Sequence, residues 1–174
     1  MESQLRSVSR ITTTYDKRED RIKLSVLDDE DRRMTLWLTQ RLATPVLRVL
    51  LEEIEESVAA EAPPATRPAV QLMEQAKADM ERKPSPPIKP TREDEQHLVL
   101  NVGVRRGQRG IRLTFYWGKG EEERIALGID RTRLRQWLGI FHRHYKSAEW
   151  PLDLWPNWLS DDAPAKILGR DHLH

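Results

Sequence analysis

The feature that most constrains this 174-residue chain is a change of hydrophobic period near Asp130. Upstream, apolar residues alternate with polar ones: Leu98, Leu100, Val102 and Val104, then Ile111, Leu113, Phe115 and Trp117, then Ile125, Leu127 and Ile129. Period-two alternation puts each set on one face of a strand, so each predicted strand has a buried side. Downstream, Leu134, Trp137, Leu138, Phe141 and Tyr145 recur at helical spacing, with Asp130 placed to cap the helix start. The connections RRGQRG and GKGEEE carry glycines of the kind short hairpins use at positive φ. An antiparallel meander covered by the helix stripe is the expected packing.

A paler version of the same string occupies residues 9–57. Ile11, Thr13 and Tyr15 alternate, then Ile22, Leu24 and Val26, then Met34, Leu36 and Leu38. Thr39 can cap the helix that follows, whose stripe reads Leu42, Val46, Leu50 and Ile54, widened by Leu47 and Val49. Pro45 removes a backbone donor and crowds the preceding turn. Either the helix is kinked there, or it restarts with Thr44 as cap and Pro45 at its first position.

The two strings align at a constant offset, Leu36-Trp37-Leu38-Thr39 against Leu127-Gly128-Ile129-Asp130, with Arg41-Leu42 and Arg133-Leu134 one step later. Strand-strand-strand-helix is also a common order, and the identity is low. A three-stranded sheet with one helix buries little by itself, whereas two such units can pool their apolar faces. The expected fold is therefore α+β: two β-β-β-α units packed with pseudo-twofold symmetry around one pooled core. The first unit is residues 9–57; the second, residues 97–160, includes a tryptophan-rich strap.

Between them, residues 58–96 hold seven of the eleven prolines and read as a flexible linker. Residues Ala69 to Arg82 have enough helical spacing for a short helix, either a docking peptide or a transient helix in the tether. A linker of this length also permits exchange between copies, so a homodimer is the expected assembly. Trp150, Trp155 and Trp158, half of the six tryptophans, lie on a proline-broken strap. Such rings need a groove, in their own protein or in a partner, which makes the three candidate partner-binding residues. Residues 161–174 are polar and expected to fray.

Composition excludes several classes. No cysteine is present, which removes disulfides, thiolate metal sites and thiol catalysis. No apolar run approaches the roughly 20 residues that span a bilayer, and the N-terminus lacks the apolar core of a secretory signal. A cytoplasmic location without membrane contact is expected. No phosphate-loop, dinucleotide, zinc-protease or nucleophile-elbow string occurs, so neither catalytic residues, a cofactor nor a metal site is assigned. His142 and His144 diverge by about 200° on a helix, and His172 and His174 lie in the tail. The acidic runs Asp28-Asp29-Glu30-Asp31 and Glu121-Glu122-Glu123 read as solvated turns. Glu52, Glu53, Glu55 and Glu56 fall at a helix C-terminus, where they oppose the dipole; either a basic partner or a frayed end accounts for them.

Charge is the sharper signal. From Met1 to Ala60 ten Lys or Arg face twelve Asp or Glu; from His97 to Trp150 eleven face five. Arg105, Arg106, Arg109 and Arg112 surround one hairpin, Arg131, Arg133 and Arg135 open the second helix, and Tyr116 shares the outward face with Arg112. These eight residues are the candidate polyanion-binding set, fit to track a phosphate backbone and stack a base. They also suit pairing with the acidic first unit. Two functions follow: a non-enzymatic protein–protein interaction or assembly module, or a nucleic-acid-associated protein that binds through the basic second unit.

Overall fold

The structure, a computed structural model, describes residues 4–161; all but Asp161 of the expected frayed tail, with His172 and His174, lies beyond them. Within those residues the chain is mixed α+β, with two sheets and three helices. β1 (Val8–Asp16), β2 (Arg21–Asp28) and β3 (Arg33–Leu38) form an antiparallel run where the alternation predicts it. Ile22, Leu24, Val26, Met34 and Leu36 are each at most 1% exposed.

Asp28 ends β2 and departs from the expectation of a solvated acidic turn, whereas Asp29, Glu30 and Asp31 are exposed as that reading has them. Its side chain is fully buried. One carboxylate oxygen accepts the Glu30 and Arg32 backbone N–H groups at 2.9 and 2.8 Å, while the other meets Arg6 Nε at 3.1 Å and Arg32 Nε at 2.9 Å. Burial works against the charge, but these donors outweigh it and hold the carboxyl below its ordinary range. The carboxylate thereby organises the turn, with Asp31 left-handed at φ 60°.

α1 (Gln40–Ala59) is one continuous helix with Pro45 inside it. Thr39 caps it: its hydroxyl accepts the Leu42 N–H at 3.2 Å and its carbonyl the Ala43 N–H at 2.9 Å. Its buried side centres on Ala43, Leu47, Leu50, Leu51, Ile54 and Val58, turned about one position from the expected stripe.

The segment 58–96, expected to be a flexible linker, carries two elements. α2 (Arg67–Glu81) starts with proline in its first turn, where a missing N–H is harmless, and buries Gln71, Gln75 and Ala78. β4 (Glu95–Leu98) pairs parallel with β3 and extends the first sheet to four strands. The intervening proline run is pinned at Ile88, which is buried and donates its N–H to Thr12 Oγ1 at 2.9 Å. Prolines exclude ladder bonds along their own stretch without preventing elements on either side.

The next strand departs from the reading of residues 98–104 as one alternating run. β5 (Asn101–Arg106), β6 (Gly110–Tyr116) and β7 (Arg124–Asp130) make the antiparallel second sheet, and the chain changes sheets just before it. Val99 donates to Trp37 O in the first sheet, and Leu100 donates to Tyr116 O in the second. The inward residue is thus Val99, 3% exposed, while Leu98 and Leu100 are 39% and 64% exposed. The sheets meet again where Ser7 bridges Ala126 in parallel. None of the described glycines has positive φ, contrary to expectation. Gly110 is required for a different reason: a Cβ there would stand 2.1 Å from the Ile129 carbonyl oxygen.

Two compact units result, Met1–Val46 with Pro84–Arg131 and Leu47–Lys83 with Thr132–His174. The first holds both sheets. The second holds α2, most of α1, all but the first residue of α3 (Arg131–Ser147), and a 3-10 turn at Asn157–Leu159. The stripe predicted for α3, Leu134, Trp137, Leu138, Phe141 and Tyr145, is buried throughout.

Candidate functional site

Strand register decides which arginines of the second sheet can act together. Arg105 on β5 lies directly opposite Arg112 on β6, and Gly103 lies opposite Thr114. Tyr116 on β6 lies opposite Arg124 on β7. Because alternate residues share a face, Gly103, Arg105, Arg112, Thr114, Tyr116 and Arg124 all lie on the side away from buried Ile111, Leu113 and Phe115. The face runs from the Arg105–Arg112 pair to the Tyr116–Arg124 pair. Four residues of strand separate them, roughly 14 Å.

These side chains line a cavity of about 330 Å³, joined by Val104 and by Leu5 from the segment before β1. The floor is low because Gly103 has no side chain. A Cβ there would stand 3.5 Å from Tyr116 Cε2 and 3.8 Å from its hydroxyl oxygen, so the tyrosine ring lies over the bare strand. Among the described residues no acidic side chain lines this cavity. Among the described residues Arg105, Arg112 and Arg124 make no ion pair, and Arg124 Nε is buried without a hydrogen-bond partner. Like charges directly across a strand pair repel, so the Arg105–Arg112 pair is locally unfavourable unless an anion bridges it.

Of the sequence-predicted set, the structure gathers Arg105, Arg112 and Tyr116 here. Arg106 and Arg109 line a neighbouring hollow of about 370 Å³ with Arg105, Arg112 and Asp130. Arg106, Arg131 and Arg133 each already have an interaction partner, and Arg133 belongs to the other unit. Arg135 is not a surface group. It is 5% exposed inside the second unit, donating from Nη2 to Gln71 Oε1 at 2.8 Å while its carbonyl accepts from Gln75 Nε2 at 3.0 Å. Positions 135, 138, 142 and 145 follow the helical period, so Arg135 turns inward with Leu138 and Tyr145. Sequence reasoning missed Arg124. Its signal was the alternation outward from Ile125 and Leu127, which places it beside Tyr116 once the register is known.

The three strap tryptophans are also buried, and within their own unit. Trp150 and Trp155 pack edge-on against Tyr145 at 5.0 and 5.3 Å between ring centroids, and Trp155 also meets His142. The Arg135 guanidinium lies 5.4 Å from the centre of the Trp158 ring. Trp150 and Trp155 therefore pack into the core of their own unit. Burial, with Lys146 and Arg143 nearby, lowers the His142 pKa.

Among the described residues no group of three or more His, Asp or Glu side chains is gathered as a metal site requires, and no helix is long and apolar enough to cross a membrane. No protein-family model, curated protein or solved structure matches the chain.

Proposed function

We propose that this chain is a non-enzymatic, cytoplasmic binding protein that holds the phosphate backbone of a nucleic acid on the polar face of the second sheet. The observation that carries the reading is the set of three arginines, Arg105, Arg112 and Arg124, around one cavity that, among the described residues, has no acidic side chain in its lining and leaves the three without an ion pair. Guanidinium groups bind phosphate bidentately, and Tyr116 offers one stacking surface beside them. The competing reading, a protein–protein assembly module working through the tryptophan strap, loses support because Trp150 and Trp155 are enclosed by their own unit. We also read β1–β3 with α1, and β5–β7 with α3, as two copies of a β-β-β-α unit in pseudo-twofold relation. The shared order of elements supports this.

The test is fluorescence anisotropy of a labelled 20-nucleotide single strand and of its duplex at 50 and 200 mM salt. Three phosphate contacts predict a loss of about 20-fold in single-strand affinity between those salts. Replacing Arg105, Arg112 and Arg124 by alanine removes both the binding and its salt dependence, while alanine at exposed Arg92 does neither. Arg112→Thr, which relieves the cross-strand repulsion, is expected to raise stability in urea by about 0.2–1 kcal/mol. Absence of binding at 50 mM, or undiminished binding by the triple variant, overturns the reading. Sedimentation of the same samples checks the expected homodimer.

A further inference from the structure

We infer that a groove in the second unit, separate from the arginine face, docks an extended, proline-bearing peptide that carries Lys or Arg. The groove has a volume of about 930 Å³. That is near the upper end of ligand pockets, roughly 300–1,000 Å³. Pro64, Pro68, Pro156 and Trp158 supply rigid apolar walls, and Glu55 and Glu56 of α1 supply carboxylates.

Two independent features point to a cationic guest. The last turn of α1 contains no basic residue, so the helix dipole adds to the negative potential of Glu55, while Glu56 already has an interaction partner. Glu55 is exposed and makes no ion pair among the described residues. Arg67, the cation that lines the groove, is tied to backbone carbonyls, donating from Nε to Ala62 at 3.0 Å and from Nη2 to Ala59 at 3.4 Å. The walls are also set in advance. Gln71 and Trp158 both line the groove, both are buried, and both are held by the Arg135 guanidinium beneath them. A preformed wall spares the ordering cost of binding. Rigid proline and tryptophan surfaces suit a polyproline-II peptide, which has no internal hydrogen bonds to break and little conformational freedom to lose. The carboxylates select its charge and disfavour a nucleic acid.

The experiment is fluorescence polarisation of the full chain with a labelled Lys-Pro-Pro-Ala-Pro-Lys-Pro peptide and a counterpart with Glu in place of Lys. The lysine peptide is expected to bind at least tenfold tighter than the glutamate peptide. Glu55→Lys is expected to reverse that order, and Asn157→Trp, whose exposed side chain fills the groove, to abolish binding of both. Neither variant is expected to change the melting temperature or oligonucleotide binding. The inference fails if the lysine peptide does not bind at 1 mM, or binds equally to the parent and Glu55→Lys. It also fails if sedimentation shows a dimer that Asn157→Trp dissociates, since a second copy is then the occupant.

Discussion

Arg135 shows how much a single residue's environment changes its role. In the sequence it belongs to a basic first turn with Arg131 and Arg133; in the fold it is a buried cation with no carboxylate in contact among the described residues. Burial pushes its pKa down to about 10, against the pull of Glu74 and Asp79. A guanidinium still remains charged at neutral pH. Its polar contacts are therefore the hydrogen bond to Gln71 and the stacking on Trp158, and Nη1 has no hydrogen-bond partner. Gln71→Ala, which leaves the buried charge without that acceptor, is expected to destabilise the protein by about 1–3 kcal/mol. Arg135→Met combined with Gln71→Leu exchanges the polar pair for apolar volume and is expected to be at least as stable as the parent. Urea unfolding of both variants measures this. A double variant weaker than Gln71→Ala alone refutes the idea that the buried charge is a net cost.

At the scale of elements, the change of sheet between β4 and β5 is the feature alternation misjudges most. Leu98, Leu100, Val102 and Val104 read as one face of one strand because a periodic pattern carries no information about the pairing partner. The chain stops pairing with β3 and begins pairing with β6 within two residues, which reverses the facing there. Val99→Asp is accordingly expected to lose most of the protein's stability, since a buried unpaired charge costs several kcal/mol against a total of roughly 5–15. Leu100→Thr is expected to stay within about 0.5 kcal/mol, the usual range for an exposed site. Thermal melts separate the two outcomes, and the opposite order rules out the sheet change. The proline-rich segment is a similar case. Its composition excludes a ladder through the prolines, yet Ala69–Arg82 has a helical period that nearly coincides with α2, and nothing in 95–98 signals a parallel partner.

For the molecule as a whole, pH acts on the two units through different groups with the same sign. In the first, Asp28, Asp94 and Glu95 have pKa values lowered by hydrogen bonds and nearby cations: for Asp28 and Asp94 these outweigh burial, and for Glu95 the bond to His97 is the largest cause. Their stabilisation is full above the ordinary values of 3.8 and 4.5 and is lost as pH falls through the folded ones. In the second, His142 is lowered from 6.5 by burial, so the unfolded chain takes up a proton first and stability falls as pH drops below about that value. Urea midpoints measured from pH 8 to pH 3 should therefore decline in two stages. His142→Gln is expected to flatten the upper stage and leave the acid limb; an unchanged upper slope assigns that stage to another group.

Local order and facing were written in the sequence. β1–β3, β6 and β7, the inward sides of those strands, the Thr39 cap and the α3 stripe follow from period and capping chemistry, which act between residues close in the chain. So did part of the candidate site, since Arg112 and Tyr116 share a face by alternation alone. Tertiary structure decided what depends on partners far away. It set the register that places Arg105 against Arg112 and adds Arg124, and the burial that removes Arg135, Trp150 and Trp155 from the surface. It also gave Asp28 the donors that make a buried carboxylate tolerable. The division has one cause: periodicity reports which side of an element is apolar, whereas cross-strand pairing and desolvation depend on which other element arrives there.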